Sequence, residues 1–224
     1  MRAALHEGLP PLPGRMKHLP LNYQGFPVPW FVAWFRDGKP CWPGVGEPDF
    51  RAVDPAKITI AVRRRRCWIC GGFMGKHMSF VIGPMCAVTR SSSEPPSHHE
   101  CAVFAAKACP FLIKPNMRRN EKDLPEHREM PGFAIKRNPG VACVWTTQGY
   151  TRFPATGGLL FRVGDPERVE WFAQGRPATR DEVFASIDGG LSALYEMAEK
   201  EGPDAIADLN IQHQQALALL PRED

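Results

Sequence analysis

The chain has 224 residues, 43% of them hydrophobic, with six Trp and thirteen Phe, a composition that supports a buried core and excludes a disordered polymer. No apolar run approaches the roughly 20 residues that span a bilayer, and residues 1–14 carry an Arg without a hydrophobic signal segment, so the expected setting is cytoplasmic with no membrane partner. The net charge of +4 hides an asymmetry: residues 51–120 hold 12 Lys and Arg against 3 Asp and Glu, whereas residues 161–224 hold 6 against 13.

Residues 1–56 read as a Pro- and aromatic-rich N-terminal segment packing on the core. Leu9-Pro10-Pro11-Leu12-Pro13-Gly14 suits an extended, surface-hugging arm. Val28-Pro29-Trp30-Phe31-Val32-Ala33-Trp34-Phe35 suits a strand, and Asp37-Gly38 a turn toward Lys39-Pro40-Cys41-Trp42, followed by loop over 43–55. Residues 57–62 fit either a short strand or a helical turn and run into Arg63-Arg64-Arg65-Arg66, which on a strand would alternate between two faces.

Residues 57–115 carry the strongest chemistry. Cys67-Trp68-Ile69-Cys70 is a knuckle that offers two sulfurs to one ion, and Gly71-Gly72 lets the backbone turn its amides toward them. Phe80-Val81-Ile82 and Ala87-Val88-Thr89 are strand candidates around a Gly83-Pro84 turn, and 91–97 is a polar loop. His98 to Cys109 is Ala-rich and helical, closed by Pro110. His98 and Cys101 lie three apart on its first turn and share a face, whereas His99 would need a partner at position 102, which is Ala. Knuckle, hairpin and ligand-bearing helix in that order resemble a treble-clef zinc finger, so the expected zinc ligands are Cys67, Cys70, His98 and Cys101.

Three rivals stay open on the sequence. Cys86 takes the place of His98 if the hairpin folds its tip inward. An iron–sulfur cluster on Cys67, Cys70, Cys101 and Cys109 has to bridge two thiols roughly 12 Å apart along one helix. Cys67 and Cys70 without metal would be a redox pair. The seven cysteines are not spaced as a disulfide framework, which favours metal-bound thiols in a reducing compartment.

Residues 116–140 read as a basic, Pro-rich loop or linker. Residues 141–224 read as strands followed by C-terminal helices. Val141 to Thr147 is the clearest strand, Gln148-Gly149 turns toward a strand beginning at Tyr150, and Leu159-Leu160-Phe161-Arg162-Val163 is another. Asp165-Pro166 looks like a helix start stopped by Gly175, Thr179 with Glu182 forms a capping box, Gly189-Gly190 interrupts the helix that follows, and Gly202-Pro203 separates a last one. The fold class expected is α+β: a treble-clef-like zinc module with flanking short strands and C-terminal helices.

Arg63, Arg64, Arg65, Arg66, Lys76, Arg90, Arg118 and Arg119, with Lys114, would form a basic rim around the module, suited to the phosphates of DNA or RNA or to an acidic protein partner. That makes a non-enzymatic, zinc-stabilised binding protein the leading expectation. A zinc-stapled protein–protein adaptor is the alternative. A His-Asn-His-like nuclease would use His77 and His99, but no Asn lies between Met74 and Glu100 to orient the base, and a four-ligand zinc leaves no open position.

Taken together, Pro29-Trp30-Phe31-Val32, Cys67-Trp68-Ile69-Cys70-Gly71, Phe80-Val81-Ile82-Gly83-Pro84-Met85-Cys86, Glu94-Pro95-Pro96-Ser97-His98, Cys109-Pro110-Phe111-Leu112 and Gly175-Arg176-Pro177-Ala178-Thr179-Arg180 resemble a family of uncharacterised proteins found in bacteria and their phages. The resemblance runs over most of the chain. It implies a prokaryotic or viral cytosolic setting and an accessory or regulatory role, and lends no catalytic residues.

Overall fold

The computed structural model of the protein describes residues 4–115, 117, 118, 120, 137–155 and 157–223. Most of the expected linker over 116–140, Arg119 included, lies outside the described residues. Helices and strands are mixed throughout, as expected for an α+β chain.

The N-terminal part ends in a small antiparallel sheet. Strands β1 (Val32–Arg36) and β2 (Lys39–Cys41) are joined by Asp37 and Gly38 at φ 51° and 71°, a pair of left-handed residues that matches strand twist in a two-residue hairpin. The segment expected to be loop instead supplies β3 (Glu47–Val53), which pairs with the other side of β1 through a register shift between Val32 and Ala33. Its sequence lacks apolar alternation and contains Pro48, which an edge strand tolerates. Helix α1 (Pro55–Arg63) resolves the next ambiguity in favour of helix. Asp54 caps it by accepting from Ala56 N–H at 3.0 Å, and Pro55 occupies the first turn.

A four-stranded antiparallel sheet forms the centre. Its order is β10 (Arg176–Pro177), β9 (Arg168–Ala173), β6 (Ala142–Thr147), β4 (Met78–Ile82). Every residue of β6 is buried, because helices cover both faces. On one face Val144, Val81 and Phe172 pack against Ala102 and Ala106 of α3 (His99–Ala108). On the other, Phe80, Cys143, Trp145 and Trp171 meet Val88 of α2 (Pro84–Thr89), Val183 and Ile187 of α5 (Arg180–Glu201), and Leu209 of α6 (Pro203–Leu217). The short helix α4 (Pro110–Ile113) follows α3. A third sheet, β5 (Ser91–Ser92), β8 (Gly158–Val163) and β7 (Tyr150–Ala155), contributes Phe161 and Val163 to the same core.

Four expectations are corrected here. Ala87–Thr89 is not the second arm of a hairpin but the end of α2, so β4 finds its partner in β6, some sixty residues on. Gly83 and Pro84 act as N-cap and first-turn residue rather than as a hairpin turn. The Asp165-Pro166 helix is strand β9: Trp171 and Phe172 bury on opposite faces, which only an extended chain permits, and Gln174-Gly175 (φ 51° and 80°) turns it into β10. Finally, Gly189-Gly190 lies within an unbroken α5. A Cβ on Gly190 would sit 2.7 Å from Met85 Sδ, so this glycine lets α2 approach α5.

Candidate metal centre

The site is assembled where α1 unwinds. Arg64 N–H closes the helix on the Ile60 carbonyl, Arg65 takes a left-handed conformation (φ 47°), and Arg66 pairs with Phe73 in an isolated antiparallel bridge. The four Arg thus leave a helix end rather than lie on a strand. Between Arg66 and Phe73 the chain makes a tight knuckle: Cys67 N–H donates to Gly72 O at 2.7 Å and Gly71 N–H to Cys67 O at 2.8 Å. Gly71 is required twice over. Its φ is 72°, and a Cβ there would stand 2.7 Å from the ring of Trp30.

Helix α3 delivers the other half. His98 is its N-cap residue and Cys101 sits on its first turn. The side-chain nitrogen and sulfurs of Cys67, Cys70, His98 and Cys101 all lie within 4.8 Å of one another. Cys70 Sγ is 3.4 Å from His98 Nδ1, and Cys101 Sγ is 4.0 Å from it. Ligands of a tetrahedral zinc at ~2.3 Å for sulfur and ~2.0 Å for nitrogen are themselves roughly 3.3–3.8 Å apart, so a small contraction closes the shell. All four predicted ligands are brought together.

The surroundings prepare those donors. Cys70 N–H and His98 N–H point at Cys67 Sγ, and Gly72 N–H at Cys70 Sγ, each at 3.4 Å. Such amides, with the positive end of α3, favour thiolates. His98 Nε2 donates to the Phe73 carbonyl at 2.9 Å, which orients the ring so that Nδ1 faces the sulfurs. The three cysteines are buried with Met16, Leu19, Ile69 and Phe104 around them, and His18 Nε2 donates to Cys70 O at 3.0 Å. His18 is a contact that sequence alone did not mark.

Crowding so many donors shifts their protonation. The Cys67 thiol is held far below its usual range by the sulfurs of Cys101 and then Cys70. Cys101 is driven the other way by Cys67 and Cys70, and His98 is pushed up to about 10, chiefly by Cys67 and then Cys70. The thiolate of Cys67 is thus balanced by a protonated His98 beside it, and protons are what a metal ion has to displace from the cluster. Cys86, Cys109 and Cys143 stand outside the cluster, and burial raises each of their thiols, which keeps them protonated and poor as ligands.

No protein-family model matches the chain, and neither does any curated protein or solved structure. What the site can do is therefore carried by its own geometry.

The basic residues divide into two groups. Arg63, Arg64, Arg65 and Lys76 are exposed and line one groove of about 540 Å³ beside the knuckle, together with Phe73. Arg63 and Arg64 make no ion pair among the described residues. Arg66 and Arg90 are engaged elsewhere: Arg66 donates to Gly71 O and stacks on Phe73 at 3.6 Å, and Arg90 pairs with Asp165 at 2.7 Å. Arg118 is exposed and pairs through its backbone with Arg137, apart from this groove's lining.

His99, one residue after a ligand, turns the opposite way. Its Nε2 donates to Glu170 on β9, whose carboxylate also pairs with Arg168 at 3.0 Å. His77 is likewise paired, with Glu167 at 2.6 Å. Beside His99 opens a cleft of about 990 Å³ between α3, β9, the N-terminal prolines and the C-terminal Leu219 to Arg222 segment. No pattern in the sequence announced it, because its walls come from four distant stretches. Among the described residues no second group of three metal-binding side chains converges, and no helix is long and apolar enough to cross a membrane.

Proposed function

We propose a non-enzymatic binding protein, held together by one zinc ion on Cys67, Cys70, His98 and Cys101, that contacts nucleic acid through the groove beside its knuckle. The convergence of three cysteine sulfurs and the Nδ1 of His98, oriented by its Nε2 hydrogen bond to Phe73, carries the metal reading. Three thiolates and an imidazole in tetrahedral reach suit Zn²⁺ better than oxygen-seeking ions, and four protein ligands leave no position for substrate water, so the ion is structural. The module is of the treble-clef kind, with a strand and short helix where that layout has a hairpin. This fits the accessory role, in a prokaryotic or viral cytosol, that the sequence resemblance implies.

The nucleic-acid reading is supported by the groove, whose lining includes four cations and no acid. Elemental analysis of purified protein is expected to give one zinc per chain. Binding to mixed-sequence oligonucleotides is expected to weaken with salt, log K falling by roughly 0.7–0.9 per log unit for each phosphate neutralised. Stoichiometric zinc without any salt-sensitive binding would favour a protein–protein adaptor instead.

A further inference from the structure

Phe73 stands out in the basic groove. It is 69% exposed, whereas Trp68 and Phe80 nearby in sequence are buried. Its position is nonetheless fixed from three directions. The carbonyl of Phe73 accepts from His98, its backbone bridges to Arg66, and the next residue, Met74, donates to Arg65 O at 2.8 Å. The Arg66 guanidinium lies 3.6 Å from the ring centroid and covers one face. The ring is thus a rigid platform backed by a cation, with most of its surface open.

Around this platform Arg63, Arg64, Arg65 and Lys76 supply positive charge, and no carboxylate enters the lining. Cations spaced along a groove with an unshielded aromatic face match a strand whose phosphates lie against the cations while an unpaired base stacks on the ring. A duplex has no free base face to offer, since its bases are already stacked on one another. We infer that this groove selects single-stranded nucleic acid, with one base stacked on Phe73. The inference rests on the nucleic-acid reading above and deepens it by naming the strand form. Stacking engages the base and is indifferent to the sugar, so RNA and DNA strands are both accommodated.

The test uses the full-length, zinc-loaded protein and fluorescence anisotropy with a mixed-sequence single-stranded DNA, the matching RNA, and the DNA duplex. Wild type is expected to bind either single strand more tightly than the duplex. Phe73→Leu should lose on the order of tenfold on the single strands with little change on the duplex, while Phe73→Tyr should retain binding. Arg63→Ala with Arg64→Ala should weaken all three ligands and flatten the salt dependence. Equal binding of strand and duplex, untouched by Phe73→Leu, would overturn the inference and leave the basic groove as a duplex-tolerant site. No binding of any oligonucleotide at low salt would overturn both. Photocrosslinking of a bromouracil-containing strand to wild type needs no variant. A crosslink at Phe73 supports the platform, and one confined to the exposed Trp42 or Tyr23 sinks it.

Discussion

Cys101 and Cys109 lie on and just past the same helix, yet only Cys101 reaches the cluster of donors. Eight residues of α-helix rise ~12 Å, more than one ion's ligands can span. Cys67→Ser or Cys101→Ser should therefore abolish stoichiometric zinc and lower the thermal midpoint by roughly 10 °C or more, because metal binding in such sites is folding free energy. Cys109→Ala should keep the metal. Retention of zinc by Cys101→Ser, measured by elemental analysis, would refute the ligand set. At this scale the sequence was legible wherever spacing alone decides geometry. Cys-x-x-Cys and His-x-x-Cys each place two donors on one side, and the choice of His98 over His99 followed from helix periodicity. What Arg66 and His18 do was not legible, since both act through contacts set by the fold: a ring at position 73 and a carbonyl at position 70.

Helix α5 shows how far a local signal carries. The side chain of Thr179 accepts from Glu182 N–H at 3.2 Å, and the Glu182 carboxylate accepts from Thr179 N–H at 2.9 Å, the reciprocal pair expected of a capping box. Arg176 on β10 adds two hydrogen bonds to the same carboxylate, which together with the Thr179 amide holds its pKa down at about 2. A depressed carboxylate stabilises the fold fully above its unfolded value of about 4.5, and that contribution is lost as pH falls through about 2. Glu182→Gln, which keeps the capping geometry but not the charge, should cost about 0.5–1 kcal/mol near neutral pH, a modest figure because the half-exposed Arg176 pair is screened by solvent. Denaturant midpoints of the two proteins should converge as pH drops from about 4.5 toward 2. A gap that persists unchanged at the acid end would remove the charge from the explanation.

Strand β9 marks where such signals fail. Asp165-Pro166 and Gly175 punctuate a helix as well as any pair in the chain, but the segment between them is needed to pair with β6, from Ala142 opposite Phe172 to Thr146 opposite Arg168. Pairing with a distant strand overrides local propensity. The same holds for β3, and for Ala87–Thr89, whose β-rich look gave way to helix once β6 had claimed the edge of β4.

Across the whole molecule, the metal cluster and the central core are two separate bodies of apolar contact. Met16, Leu19, Ile69 and Phe104 gather around the cysteines, while Trp145, Phe161 and Ile187 belong to the larger core over the sheet's other face. Removing zinc with a strong chelator should therefore loosen the first before the second. Hydrogen exchange is expected to rise in residues 66–76 and at the start of α3, while the amides of β6 stay protected. Uniform protection before and after chelation would show that the ion contributes nothing to folding. The basic middle and acidic C-terminal thirds, visible in composition, meet in few direct pairs among the described residues, Arg90 with Asp165 being one. Charge imbalance announced two surfaces, and the fold decides which cations remain available.

The two adjacent histidines at the head of α3 pull in opposite directions, one toward sulfur and the other toward a carboxylate of the central sheet. That first turn therefore ties the metal cluster and the central sheet to one helix. Because the same helix also walls the wide cleft over β9, one element borders both the donor cluster and that opening.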